Sequence, residues 1–174
     1  SSRSGMFQVH AQDPDGVDPG KKIGQGATHR LAWDWSSDKT SALISELTPA
    51  GKWILRRLAI PGGETTPLTD AAFNAYHGQF SPDGGWISFT SDRKGRDEVY
   101  IQSLQPGGER FAVSADGGSC ARWRADGKEL YYLAPGGDLM AVPVKLAAPK
   151  PEIGAPSALF RINAPPGLNL AFPY

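Results

Sequence analysis

The chain has 174 residues, 40% of them hydrophobic, with 18 basic and 18 acidic side chains. That composition suits one or two modest cores and excludes fibrous and wholly disordered classes, and the balanced charge leaves no net field to draw nucleic acid or an anionic membrane. Cys120, the single cysteine, excludes an internal disulfide and leaves cytosol and cell envelope both open.

No stretch reaches the roughly 18 apolar residues of a membrane helix, so direct membrane insertion is not expected. The start at Ser1 fits a removed leader or a segment of something longer.

Taken in order, residues 5–23 read as two outer strands of a unit that the chain enters part-way. Between them DPDGVDPG, residues 13–20, opens as a calcium loop does, Asp-x-Asp-Gly. An EF-hand also needs flanking helices and a Glu at the twelfth position, where Gly24 stands. An Asp/Pro/Gly hairpin loop is the expectation.

Residues 29–70, 75–116 and 119–163 then repeat one plan. The middle copy shows it best: an apolar lead into Ser81-Pro82-Asp83-Gly84, where Pro82 presets φ and Gly84 tolerates φ > 0, then Trp86, Ile87 and Phe89. The polar SDRKGRD follows as a loop. EVYIQSL alternates Val99, Ile101 and Ser103 with Tyr100, Gln102 and Leu104, the period of a strand. Pro106-Gly107-Gly108 turns the chain into RFAVS, a fourth strand. No window has helical periodicity.

Two landmarks fix the period. Asp38, Asp83 and Asp126 fall 45 and 43 residues apart, and IPGGE and QPGGE are again 45 apart. Four strands every 43–45 residues is the mark of a β-propeller blade, a small twisted sheet that must stack on neighbours to bury both faces. The fold class expected is therefore all-β: a β-propeller of four-stranded antiparallel blades, about three complete (29–70, 75–116, 119–163), with partial blades at both ends (1–24 and 167–174) and an incomplete ring. Trp35, Phe80 and Trp123 are the expected inter-blade packing residues.

FSPDGGWISFTSDRKGRDEVYIQSL resembles the TolB-type propeller repeat, a WD-like blade marked by a Ser-Pro-Asp-Gly turn. Residues 76–144 resemble the propeller behind many bacterial serine/threonine protein kinases. The first copy departs from the pattern, with Ser37 and Lys39 where Pro and Gly are expected. The resemblance implies a non-catalytic binding or sensor module on the periplasmic or extracellular side of a bacterial membrane, within a longer protein. Its partner would be a protein or small ligand at the propeller face or tunnel. The alternative is a gating propeller of a prolyl-oligopeptidase-type peptidase whose catalytic domain lies elsewhere.

Catalytic motifs are absent from the sequence: no Gly-x-Ser-x-Gly, no His-Glu-x-x-His, no phosphate loop before a helix. His10, His29 and His77 form no recognisable triad with a serine, and Cys120 has no His near it in sequence. The recurring Asp38, Asp83 and Asp126 read as turn residues that accept the amide two positions on, rather than as metal ligands. Arg93, Lys94 and Arg96 share a loop with Asp92, Asp97 and Glu98 and read as a self-neutralised surface. No catalytic, cofactor-binding or metal residue is expected.

GLNLAFPY at the end reads as the innermost strand of a next blade. An arc with open ends leaves bare faces and strand edges. They would be covered by residues 5–23 and 169–174 sharing one blade, by a second copy, or by more of a longer chain, the last being the expectation. The isolated segment is expected to self-associate.

Overall fold

The computed structural model describes residues 9–11, 21–23, 28–147 and 150–162. The calcium-like loop at 13–20 and the GLNLAFPY strand lie outside them. The chain forms two compact units, Ser1–Tyr76 and His77–Tyr174.

In the first unit β1 (His10–Ala11) pairs antiparallel with β2 (Lys21–Lys22). A four-stranded sheet follows in sequence order: β3 (Arg30–Trp35), β4 (Ser41–Leu47), β5 (Trp53–Ala59) and β6 (Thr65–Pro67). Because successive side chains alternate across a strand, Ile44 and Leu58 share one face, and they pack with Val9 and Ile23 from beside the β1–β2 pair. The residues beside the short pair thus cover part of one face of the sheet.

A second antiparallel sheet comprises β7 (Ala75–Phe80), β8 (Trp86–Ser91), β9 (Glu98–Ser103) and β10 (Arg110–Ala112). Register places Ile101 opposite Ser88 and Val99 opposite Thr90 on one face, and Tyr100 opposite Phe89 on the other. That is the alternation read from EVYIQSL. Every residue of β8 is buried. The Phe89 and Tyr100 rings stack with centroids 5.8 Å apart, and the Arg110 guanidinium lies 5.6 Å over Phe89.

The third sheet holds β11 (Ser119–Trp123), β12 (Glu129–Leu133) and β13 (Asp138–Lys145), with an outer strand in two pieces, β14 (Glu152–Ile153) and β15 (Ser157–Arg161), both paired to β13. This is more than the expected four strands. The eight-residue β13 pairs through Val144 and Lys145 with β14 and through Asp138 to Ala141 with β15, so the outer strand is divided between its two halves. Val99, Ile101 and Val113 of the second sheet pack against Ala121, Trp123, Leu130, Tyr132, Val142 and Val144 of the third. Burying one such aliphatic side chain contributes about 1.5–3 kcal/mol, so this seam holds the two sheets together.

The three first hairpins share one hydrogen-bond scheme. The carboxylates of Asp38, Asp83 and Asp126 accept the amides of Thr40, Gly85 and Lys128, each at 3.0 Å. Ser36 and Ser81 hydroxyls accept the amides of Ser41 and Trp86 at 3.0 and 2.9 Å. In the third copy Arg124 replaces the serine and grips both oxygens of Asp126, at 2.8 and 2.6 Å. Phe80 and Trp123 are buried as expected, whereas Trp35 is 44% exposed. In that first copy it is Trp33 that turns inward, its indole donating to Ser45 at 2.7 Å.

Candidate functional site

The hairpin turns after β7 and β11 lie at one edge of the second unit, beside the β13–β14 hairpin. Together they enclose a cleft of about 730 Å³, lined among others by Pro82, Asp83, Asp126, Lys128, Val144 and Ile153. The two turns approach closely: a Cβ added at Gly127 would stand 3.8 Å from Pro82 Cδ. A volume of this size suits a small ligand or a few residues of a peptide.

The cleft is lined by aliphatic and proline side chains together with charged ones. The bidentate Arg124 contact, and then the Lys128 amide, hold the Asp126 carboxyl well below the usual range. Asp83 is occupied by Gly85 and by the Ser81 hydroxyl at 2.5 Å. Lys145 and Glu152 pair at 2.9 Å in the open. No Ser, Cys or His is among the described lining residues, whose charged members are Asp83, Asp126, Lys128, Lys145 and Glu152.

At the opposite edge, the loop after β8 is tied down by Glu98, which is fully buried. Its carboxylate accepts from the Ser114 hydroxyl, from the Gly117 amide at 3.1 Å and from Arg96 Nε at 2.8 Å. Burial alone would raise its pKa, but those three donors outweigh it and the net shift is downward. Arg96 therefore anchors the loop to the β10–β11 linker, also reaching the Ala115 carbonyl at 2.5 Å. The self-neutralised loop expected here holds in the Arg96–Glu98 pair, and the correction is that Glu98 is buried rather than solvated. Nothing in the sequence marked Glu98 as buried, because an acidic residue at a strand start is ordinarily solvated.

Sequence reasoning also missed one neighbour of Cys120. Its Sγ lies 3.7 Å from Nδ1 and 3.8 Å from Nε2 of His77. The two residues are 43 apart, one repeat period, so the repeat itself was the signal that could have paired them. The sulfur is equidistant from both nitrogens rather than aligned with one, and burial pushes the thiol pKa up. An activated Cys–His pair needs the reverse of both features. Among the described residues no group of three or more His, Cys, Asp or Glu could hold a metal ion, and no helix is long and apolar enough to cross a membrane.

Antiparallel sheets of four or five strands, repeated in chain order at one sequence period, are the units of a β-propeller. The fold is of the TolB type. The chain superposes on a TolB of Agrobacterium tumefaciens with a TM-score of 0.70 at 18% identity, covering 91% of this chain and 58% of that one. For TolB of Acinetobacter baumannii the TM-score is 0.63 at 18% identity, over 87% of this chain and 37% of that one. Hydrazine synthase of Kuenenia stuttgartiensis shares the fold more distantly, with a TM-score of 0.54 at 14% identity over 71% of this chain and 43% of that one. The chain thus spans less than two thirds of each of these proteins. No protein-family model and no curated protein sequence matches it. An enzyme and the TolB proteins occur on one fold, which therefore carries no activity by itself.

Proposed function

We propose that the chain is a non-catalytic binding module that seats a protein partner against the edge bearing the Asp83 and Asp126 turns. The observation that carries this reading is the cleft at that edge. Its frame is rigid, since both turns are closed by side-chain bonds to backbone amides, and its lining offers apolar contact area with charges of both signs. Such a surface fits peptide and protein contacts.

The TolB-type fold supports an extracytoplasmic setting in a bacterial envelope, and a place as the sensing part of a longer receptor-type protein would follow from the resemblance of residues 76–144 to the propeller behind bacterial serine/threonine protein kinases. A binding segment of this kind needs no chemistry of its own.

A photo-crosslinking residue installed at Lys128, beside the cleft, tests the reading in cells. It is expected to trap one discrete protein, and the same probe at Lys94, in the loop at the opposite edge, is expected not to. Identical capture at both positions, or none at Lys128, would contradict it.

A further inference from the structure

The cleft at the turn edge is bordered by a strip of open main chain. Val144 donates its amide to the Lys128 carbonyl at 2.9 Å, and Pro143 accepts the Gly154 amide at 2.8 Å. Backbone groups of an antiparallel strand point alternately to its two sides, so Val144 is turned towards β12. Ile153 stands opposite Val144 in the register and therefore directs its own N–H and C=O away from β13. Among the described residues β14 pairs with β13 alone, which leaves this donor and acceptor open at a sheet edge. Pro151 and Pro156 stand on either side. Because proline has no N–H, they confine any pairing here to a short motif and guard against open-ended edge association.

The Ile153 side chain packs, with Leu146, against the cluster that joins the second and third sheets. Both residues line the cleft beside Val144, Pro143 and Pro82, so an aliphatic hollow adjoins the open edge. Most of the charges around it are already engaged. Asp83 accepts from Ser81 and Gly85, Asp126 is gripped by Arg124, and Lys145 and Glu152 neutralise each other. Lys128 is exposed, and among the described residues its ammonium enters no salt bridge.

We propose that the partner is held as an extended segment that adds as a short strand to β14, pairing with the Ile153 backbone. It places one aliphatic side chain in the hollow and an acidic one against Lys128. Since alternate residues of a strand share a face, the acidic residue stands two positions from the aliphatic one. Main-chain bonds give affinity in this mode, and the side-chain pocket gives selectivity. A helical segment has satisfied its own backbone groups and leaves Ile153 unused. This inference rests on the binding role proposed above and specifies the form and chemistry of the partner.

Two measurements on the whole chain test it. The first is amide hydrogen exchange by NMR with a capped pentapeptide of β-branched residues that carries valine two positions before aspartate. Near saturation the Ile153 amide is expected to slow about tenfold, the scale of one hydrogen bond gained, and the same peptide with lysine in place of aspartate is expected to bind more weakly. An Ile153 amide that stays unprotected, or equal binding of both peptides, would overturn the proposal. The second measurement repeats the Lys128 photo-crosslinking in Ile153→Pro and Ile153→Val chains. The Ile153 N–H makes no ladder bond, so proline leaves the sheet's own bonds intact, which circular dichroism checks. Capture is expected to be lost in Ile153→Pro and kept in Ile153→Val. Absence of capture in the native chain would overturn the binding role and this inference with it, whereas capture unchanged by Ile153→Pro would overturn this inference alone. Should the proline variant fail to fold, the exchange experiment decides.

Discussion

Cys120 and His77 hold the same place in successive sheets and touch, with the sulfur 3.7 Å from the nearer ring nitrogen. Both adopt left-handed backbone, with φ of 55° and 54°, which non-glycine residues enter only when the surroundings impose it. In the third sheet the residue lies within the register shift between Ser119 and Arg122. A bulge of this kind re-aims one side chain of the strand, and here it turns the thiol towards its repeat partner.

This contact is structural, and thiol chemistry tests that. Burial raises the Cys120 pKa above its ordinary 9.0, so the thiolate fraction at neutral pH is small. Labelling by a chromogenic disulfide should be slow in the native protein, accelerate as pH rises through the alkaline range, and become complete on unfolding. Stoichiometric labelling of native protein within seconds at neutral pH would show an activated thiol.

The first hairpin carries a strained residue that the other two avoid. Lys39 has φ of 58°, where Gly84 and Gly127 have 70° and 71°. An L-residue with a Cβ pays for left-handed backbone by steric crowding, partly offset by the smaller entropy it loses relative to glycine. Lys39→Gly should therefore stabilise the chain by about 0.5–1 kcal/mol, raising Tm by about 2 °C for a chain of this size. Thermal unfolding followed by circular dichroism measures this, and a Tm equal to or below the native one would count against the turn assignment.

Acid should loosen the opposite edge through Glu98. Its folded pKa lies below the ordinary 4.5, because donors from Ser114, Arg96 and Gly117 overcome burial. A depressed acid contributes stability that is fully present above the unfolded value and is lost as pH falls through the folded one. Denaturant titrations should thus show stability dropping below about pH 4.5. Glu98→Gln should lower stability at neutral pH by about 1–3 kcal/mol and flatten the acid dependence. A variant with the native acid profile would remove Glu98 from this role. Asp38, held down to about 2 mainly by the Ser36 hydroxyl, also loses stabilisation as acid is added, so the difference between the native and Glu98→Gln profiles is the reading that isolates Glu98.

The fold was legible because it is written more than once. A single Ser-Pro-Asp-Gly turn is weak evidence, but Asp38, Asp83 and Asp126 at one spacing fix both the period and the strand order, and the amide two residues on is the bond each of them makes. What escaped the sequence is what does not repeat. The division of the third sheet's outer strand into β14 and β15 has no counterpart in the other two four-stranded sheets described, so no periodicity announces it. Trp35 occupies the slot of Phe80 and Trp123 but stays exposed, while the half-buried Trp33, two residues earlier in β3, donates to Ser45. Glu98 is buried through donors contributed by Ser114 and Gly117, which the chain supplies only after β10. Such long-range partners have no local signature.

The central claim is that this chain binds a protein at its turn edge and does nothing to it chemically. Calorimetric titration of the protein trapped at Lys128, into the native chain and into Lys128→Glu, tests that most directly. The account predicts a saturating isotherm with no continuing heat of turnover, and an affinity about tenfold weaker, ~1.4 kcal/mol, for the variant. Equal affinity for both chains, or heat that persists after saturation in proportion to the protein added, would contradict it.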